Sequence, residues 1–330
     1  MARNPVSVWN RLLGLTIMAT LHSSAYAQAP PLLGSFGSQG SGNGQFLAPT
    51  GIAVDQSGLV YVADQLSNRV EKFTNGGVFV TQWTCGPYAF PGASFIAADT
   101  HGDVYVTDPG NRSILKFTNT GIPITSWGLV GPGTRTGNPD VTQPTCVAVD
   151  VNDVVYVTDG PGNRIQKLTA TGSLIAQWNS GPEFGIIDNP GPIAVDLDGS
   201  VYVGDTADHR IIKIDRAGHY IGECQGSPDA PFSLTSLVGL ATDRLGHVFS
   251  TEASTENRIQ EFTSDGVFIA LWGCSCTGND HFFYSPCGIA TDSDGNVFVV
   301  DRGNKRVQKY GFRPTAAMHS TWGAVKMRFR

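Results

Sequence analysis

Residues Gly51 to Phe73 read GIAVDQSGLVYVADQLSNRVEKF. An apolar strand ends in Asp55 and a Gly turn follows. A second apolar strand ends in Asp64, and a third opens with Arg69. The same pattern recurs from Phe95 (FIAADTHGDVYVTDPGNRSILKF), Cys146, Pro192, Gly239 and Gly288. The acid closing the second strand falls at Asp64, Asp108, Asp159, Asp205, Glu252 and Asp301, at intervals of 44, 51, 46, 47 and 49 residues. A repeat of that length made of short strands is the signature of a propeller blade. The fold class is therefore all-β, a six-bladed β-propeller of four-stranded antiparallel blades.

Each copy supplies three strands, and a fourth follows a turn such as Asn75-Gly76-Gly77. The fourth strands run VFVTQW to Trp83, IPITSW to Trp127, SLIAQW to Trp178, YIGECQ to Gln225 and VFIALW to Trp272. Alternation with a terminal aromatic suits a half-buried outer strand. The sixth copy stops at Tyr310 without one. Leu32-Leu33-Gly34-Ser35-Phe36-Gly37 resembles the other fourth strands, and its downstream sequence matches as well. This N-terminal strand is expected to close the ring, in preference to Met318–Gly323, and so leave no open sheet edge.

Three segments are expected. Residues 1–27 read as a signal peptide: Arg3 and Arg11, an apolar run from Leu12 to Leu21, then Ala25-Tyr26-Ala27 as the cleavage site. The run is too short to span a bilayer, and no other segment reads as a membrane span. Residues 28–312 form the propeller and 313–330 a C-terminal tail. Cleavage near Ala27 makes the destination secreted or periplasmic. It removes two bases from 22 and no acid from 28, so the mature balance is −8. That charge argues against nucleic acid as a partner.

An oxidising destination favours disulfides. Cys274, Cys276 and Cys287 crowd between blades five and six, and Cys287 is expected to pair with Cys274 or Cys276. Cys146 opens an inner strand and is expected to be buried and unpaired.

The string PxGIAVDxxGxVYVAD…NxRVxKF resembles the NHL repeat, over nearly all of residues 32–310. The resemblance implies a six-bladed propeller. The family includes extracellular sensor domains, RNA- and protein-binding platforms, and a lyase that cleaves peptidyl-hydroxyglycine. The wider six-bladed group adds metal-dependent lactonases and a streptogramin lyase. A catalytic propeller places His or carboxylates where the first strands enter the central channel. Here those positions hold Thr50, Ser94, Thr145, Gly191, Val238 and Cys287. The histidines stand at non-equivalent places, so the zinc-lyase pattern is not reproduced.

Asp55 and its equivalents read as turn chemistry, each carboxylate holding local N–H groups. The second acids stand five or six residues before Arg69, Arg164, Arg210, Arg258 and Arg306. These pairs read either as structural braces or as a charged ring that grips a ligand on one face. Loops after the second and fourth strands open on that face, and those after the fourth are long and aromatic. They carry Tyr88, Phe90, Phe184, Phe232, Phe282, Phe283 and Tyr284. Aromatics and arginines on long loops are typical binding anchors. The expectation is a monomeric, non-catalytic binding module for a protein, peptide or glycan, with no cofactor assigned and calcium or zinc left open. The alternative is a metal-dependent lyase or hydrolase.

Overall fold

The computed structural model describes residues 29–84, 95–129, 135–136, 141, 143–179, 187–225, 234–254, 256–273 and 282–311. The expected signal peptide (residues 1–27), the expected tail (residues 313–330), Cys85, Cys274 and Cys276 lie outside the described residues. Strand β1 (Leu32–Phe36) comes first. Blade one is β2 (Pro49–Val54), β3 (Val60–Asp64), β4 (Arg69–Phe73) and β5 (Phe79–Thr84). Blade two is β6 (Ile96–Ala98), β7 (Val104–Asp108), β8 (Ser113–Phe117) and β9 (Pro123–Leu129), with a two-residue β10 (Arg135–Thr136) added at its outer edge. Blade three is β11 (Pro144–Val149), β12 (Val155–Asp159), β13 (Arg164–Leu168) and β14 (Leu174–Asn179). Blade four is β15 (Pro190–Val195), β16 (Val201–Asp205), β17 (Arg210–Ile214) and β18 (Tyr220–Gln225). Blade five is β19 (Leu237–Thr242), β20 (Val248–Glu252), β21 (Arg258–Phe262) and β22 (Phe268–Trp272). Blade six is β23 (Pro286–Thr291), β24 (Val297–Asp301) and β25 (Arg306–Tyr310).

β1 supplies blade six's fourth strand. It pairs antiparallel with β25, Phe36 opposite Val307 and Leu32 opposite Tyr310. The first strands β2, β6, β11, β15, β19 and β23 pack in that order, and β23 returns to β2. The ring is therefore closed between the two ends of the propeller segment. No helix among the described residues is long and apolar enough to cross a membrane.

Strand alternation creates six cores, one at each blade interface. At the first, Tyr61, Val70 and Trp83 meet Val104, Val106 and Phe117. Five further clusters repeat this between the remaining neighbours. Each blade is thus sandwiched on both faces, and second strands such as Val60–Asp64 are buried throughout.

The first-turn acids behave alike in all six blades. Asp55 Oδ1 accepts N–H bonds from Ser57 and Leu59, each 2.9 Å, and Tyr61 donates its hydroxyl to Oδ2 at 2.8 Å. Asp99, Asp150, Asp196, Asp243 and Asp292 accept turn N–H groups in the same way, and the tyrosine recurs in blades two to four but is Phe249 and Phe298 in blades five and six. This is why an Asp closes every first strand.

Cys287 corrects the disulfide expectation. It is free and buried, as are Cys146 and Cys224. Its side chain packs with Ile52, Phe298 and Val300 at the interface of blades six and one. The side chain therefore faces the core between first strands. Burial pushes its thiol upward, and pushes Cys146 up to about 12.

Candidate functional site

On the long-loop face the acid–arginine pairs tie loops to the frame. Asp64 accepts from Leu47 N–H and Ala48 N–H, the latter at 2.7 Å. Asp159 accepts from Gln143 N–H and Asp301 from Tyr284 N–H, both 2.8 Å. The arginines complete the tie. Arg69 donates to the carbonyls of Ser41, Gly42 and Gln45 and pairs with Glu71. Arg306 donates to Phe282 C=O at 2.9 Å and pairs with Asp301 at 2.8 Å. Arg164–Asp159, Arg210–Asp205 and Arg258–Glu252 stand at 2.9, 3.0 and 3.1 Å.

The guanidiniums of Arg69 and Arg258 are enclosed, with 7% and 6% of the side chain exposed, whereas Arg306 keeps 30%. Burial without solvent compensation pushes Glu71 up to about 7 despite its contact with Arg69. In blade two Ser113 replaces the arginine. Asp108 there is held by Asn111 N–H and Nδ2, and burial raises its carboxyl.

Of the expected aromatics, Tyr284 is 59% exposed and Phe282 37%. Phe283 is fully buried and packs on Tyr310 with ring centroids 5.9 Å apart, plugging the interface of blades five and six. Tyr88, Phe90, Phe184 and Phe232 lie outside the described residues.

The opposite face is built from the first and third turns. Lysines near the end of the third strands staple neighbouring blades here. Lys72 donates to Asn119 C=O at 2.8 Å, Lys167 to Arg216 C=O at 2.7 Å and Lys213 to Ser264 C=O at 3.0 Å. Lys309 reaches Asn75 Oδ1. Blade five departs from the pattern. Its lysine position is Glu261 and its tyrosine position is Phe249, while His247 enters the vacated space. His247 Nδ1 stands 3.2 Å from Asp243 and 3.4 Å from Glu261. Those two carboxylates hold it up to about 9. Blade six has no third turn for a lysine to reach, because its outer strand comes from the N-terminus. Pro30 and Gly311 occupy that place beside His247.

Blade three departs in another way. Asp153 has φ +59 where the sister turns carry Gly at φ +77 to +82. Its carboxylate crosses to blade two, accepting from Thr100 N–H and Oγ1 and contacting His101 Nδ1 at 3.1 Å. Ligand atoms of Asp99, His101 and Asp153 lie within 4.8 Å of one another. Asp99 already accepts from two turn N–H groups, from Tyr105 and from Lys116 Nζ at 3.2 Å. The chain's own ammonium supplies the positive charge there.

The mouth of the channel on this face is a cavity of about 360 Å³ formed by blades one, four, five and six. Deeper in, the channel narrows between aliphatic side chains such as Ile52, Ile96, Ile193 and Ile289. The mouth was not singled out in the sequence. Its signal is present all the same: aliphatic residues at turn positions that are polar in the sister repeats.

Three stretches, 46–73, 142–168 and 283–310, match the model of the NHL repeat. They coincide with blades one, three and six. The likeness to that repeat is thus shown for three of the six blades. A 52-residue stretch is 48% identical to Protein lin-41 of Caenorhabditis elegans, covering 16% of this chain and 4% of that protein. A 45-residue stretch is 44% identical to the mouse (Mus musculus) E3 ubiquitin-protein ligase TRIM71, covering 14% and 5%. Both likenesses are confined to a repeat-sized segment.

Among solved structures, the propeller is similar to a streptogramin B lyase, with TM-score 0.58, 17% identity, and 81% of this chain and 94% of that chain covered. It is also similar to a gluconolactonase from Xanthomonas campestris, with TM-score 0.57, 17% identity and coverage of 81% and 87%. A Bacteroides thetaiotaomicron protein of unknown function superposes at TM-score 0.63, 18% identity and coverage of 86% and 76%. At these identities the likeness speaks to the fold alone.

Proposed function

We propose that this chain is an exported, non-catalytic binding module that presents the long-loop face of its propeller to a protein, peptide or glycan. One observation carries the reading. Charged pairs that could have formed a site are spent on fastening loops, through Asp64 to Leu47 and Ala48 and through Asp301 and Arg306 to Tyr284 and Phe282. Rigid loops with exposed Tyr284 and Phe282 suit recognition, since ordering costs little when the surface is already fixed. Export rests on the N-terminal leader pattern.

The test is binding of purified residues 28–330 to peptide and glycan arrays, followed by the double variant Phe282→Ala/Tyr284→Ala. Retained thermal stability with at least tenfold weaker binding is expected, because two exposed anchors are lost. Binding that survives the double variant removes this face from the reading. The alternative, a metal-dependent lyase or hydrolase, draws on the fold shared with the streptogramin lyase and the gluconolactonase. Stoichiometric zinc or calcium together with lactone opening by the purified protein would establish it in place of the binding module.

A further inference from the structure

The channel mouth on the first-turn face presents side chains that the fold does not require. A tight turn takes polar residues after its Asp, because they complete its hydrogen bonds. Blades one, two and six obey, with Gln56, Thr100 and Ser293. Blades three and four place Val151 and Leu197 there, 43% and 52% exposed, and blade five adds Leu245, 51% exposed. Three adjacent blades thus hold large aliphatic groups out in water on the first-turn face, and Leu197 of blade four lines the cavity itself. Val195 of blade four and Val54 of blade one also line the cavity. Exposed apolar groups gathered around a concavity mark binding sites more often than scattered ones do.

The polar side of the same cavity has one free charge. Arg244 lines it, is exposed, and makes no ion pair with any described residue. The carboxylates that also line it are already committed. Asp55, Asp243 and Asp292 are 5–7% exposed and saturated by turn N–H groups. A cation stands behind each: Lys72 toward Asp55, His247 on Asp243 and Lys309 on Asp292. The charge left to meet a ligand is the guanidinium, which pairs carboxylates through a planar fork.

We infer that this mouth binds a small amphipathic carboxylate, its anionic head on Arg244 and its aliphatic chain along Leu197, Val195 and Val54. The volume of about 360 Å³ is at the small end of the range for small-molecule sites, roughly 300–1,000 Å³. The turns that form it are pinned by their own Asp residues, so little ordering is needed on binding. The site lies on the face opposite Tyr284 and does not depend on the binding reading above.

The experiment is calorimetric titration of residues 28–330 with octanoate, acetate and octylammonium. Octanoate is expected to bind saturably, with acetate and octylammonium each at least about tenfold weaker, for want of the chain and of the right charge respectively. Arg244→Gln and Leu197→Ser should each weaken octanoate by about tenfold. Both side chains are exposed, so both variants keep the fold. The inference is overturned by any of three results: no saturable octanoate binding below its micelle-forming concentration, unchanged affinity in Arg244→Gln, or preference for octylammonium. Long-loop ligand binding should be unaffected by either variant, which separates the two sites.

Discussion

The indole of Trp127 lies against Gly172 of the next blade so closely that a Cβ there would overlap Nε1. Trp83 meets Gly121 and Trp178 meets Gly218 in the same manner. The outer-strand tryptophan and the third-turn glycine of the following blade are thus one device. In blade four Cys224 takes the indole's place beside Gly266, and in blade six Phe36 of β1 takes it beside Gly77. The fit has a cost, since Nε1 of Trp127 finds no acceptor.

Gly172→Ala should therefore destabilise the protein by about 2 kcal/mol, combining overpacking with a side chain at φ +86. Denaturant unfolding measures it. Trp127→Leu in the same chain should recover part of the loss. A strictly additive double-mutant cycle would show that the two residues do not meet.

Deleting Pro30 to Gly37 should remove β1, expose the edge of β25, and produce aggregation or a large fall in melting temperature. Removing residues 313–330 should change melting little, because β25 already has its partner. Light scattering and thermal melts of the two truncations decide it, and a damaging C-terminal deletion with a harmless N-terminal one would reassign the closing strand.

Stability should fall as pH rises from about 6.5 to about 9. Asp243 and Glu261 raise His247 to about 9 from its ordinary 6.5, so the folded state holds a proton that the unfolded state has released. The contribution is complete below 6.5 and is lost through 9, in total about 3 kcal/mol. Glu71, pushed up to about 7 by burial, adds a loss of the same sign between its ordinary 4.5 and 7. In His247→Asn, the residue blade six carries at Asn296, the slope between pH 7 and 9 should flatten. A wild-type slope retained in that variant would remove His247 as its source.

Asp159→Asn should cost about 2 kcal/mol at pH 7, because Arg164 loses its 2.9 Å partner. Asp108→Asn should cost less than about 1 kcal/mol, since no arginine faces it and burial already disfavours its charge. Chemical denaturation of the two variants side by side reads the difference. Equal losses would mean that the arginine contributes nothing to the brace.

The repeat determined the blades. Strand alternation, the Asp that closes each first strand, and the acid-to-arginine interval all act within about 25 residues, so each is legible in one copy of the pattern. The closing strand was legible too, because an incomplete sixth copy demanded a fourth strand and Leu32–Phe36 matched. The ring decided what passes between copies. Cys287 sits in a first strand, and only the packing of β23 against β2 turns its thiol into the core. His247 and Glu261 look like unrelated departures until the seam shows that blade six has no third turn for a lysine to reach. Leu197 and Arg244 are 47 residues apart in sequence, yet they line one cavity. A local pattern specifies the backbone of a blade. Which side chains meet across blades depends on the closed geometry of all six, and no single repeat contains it.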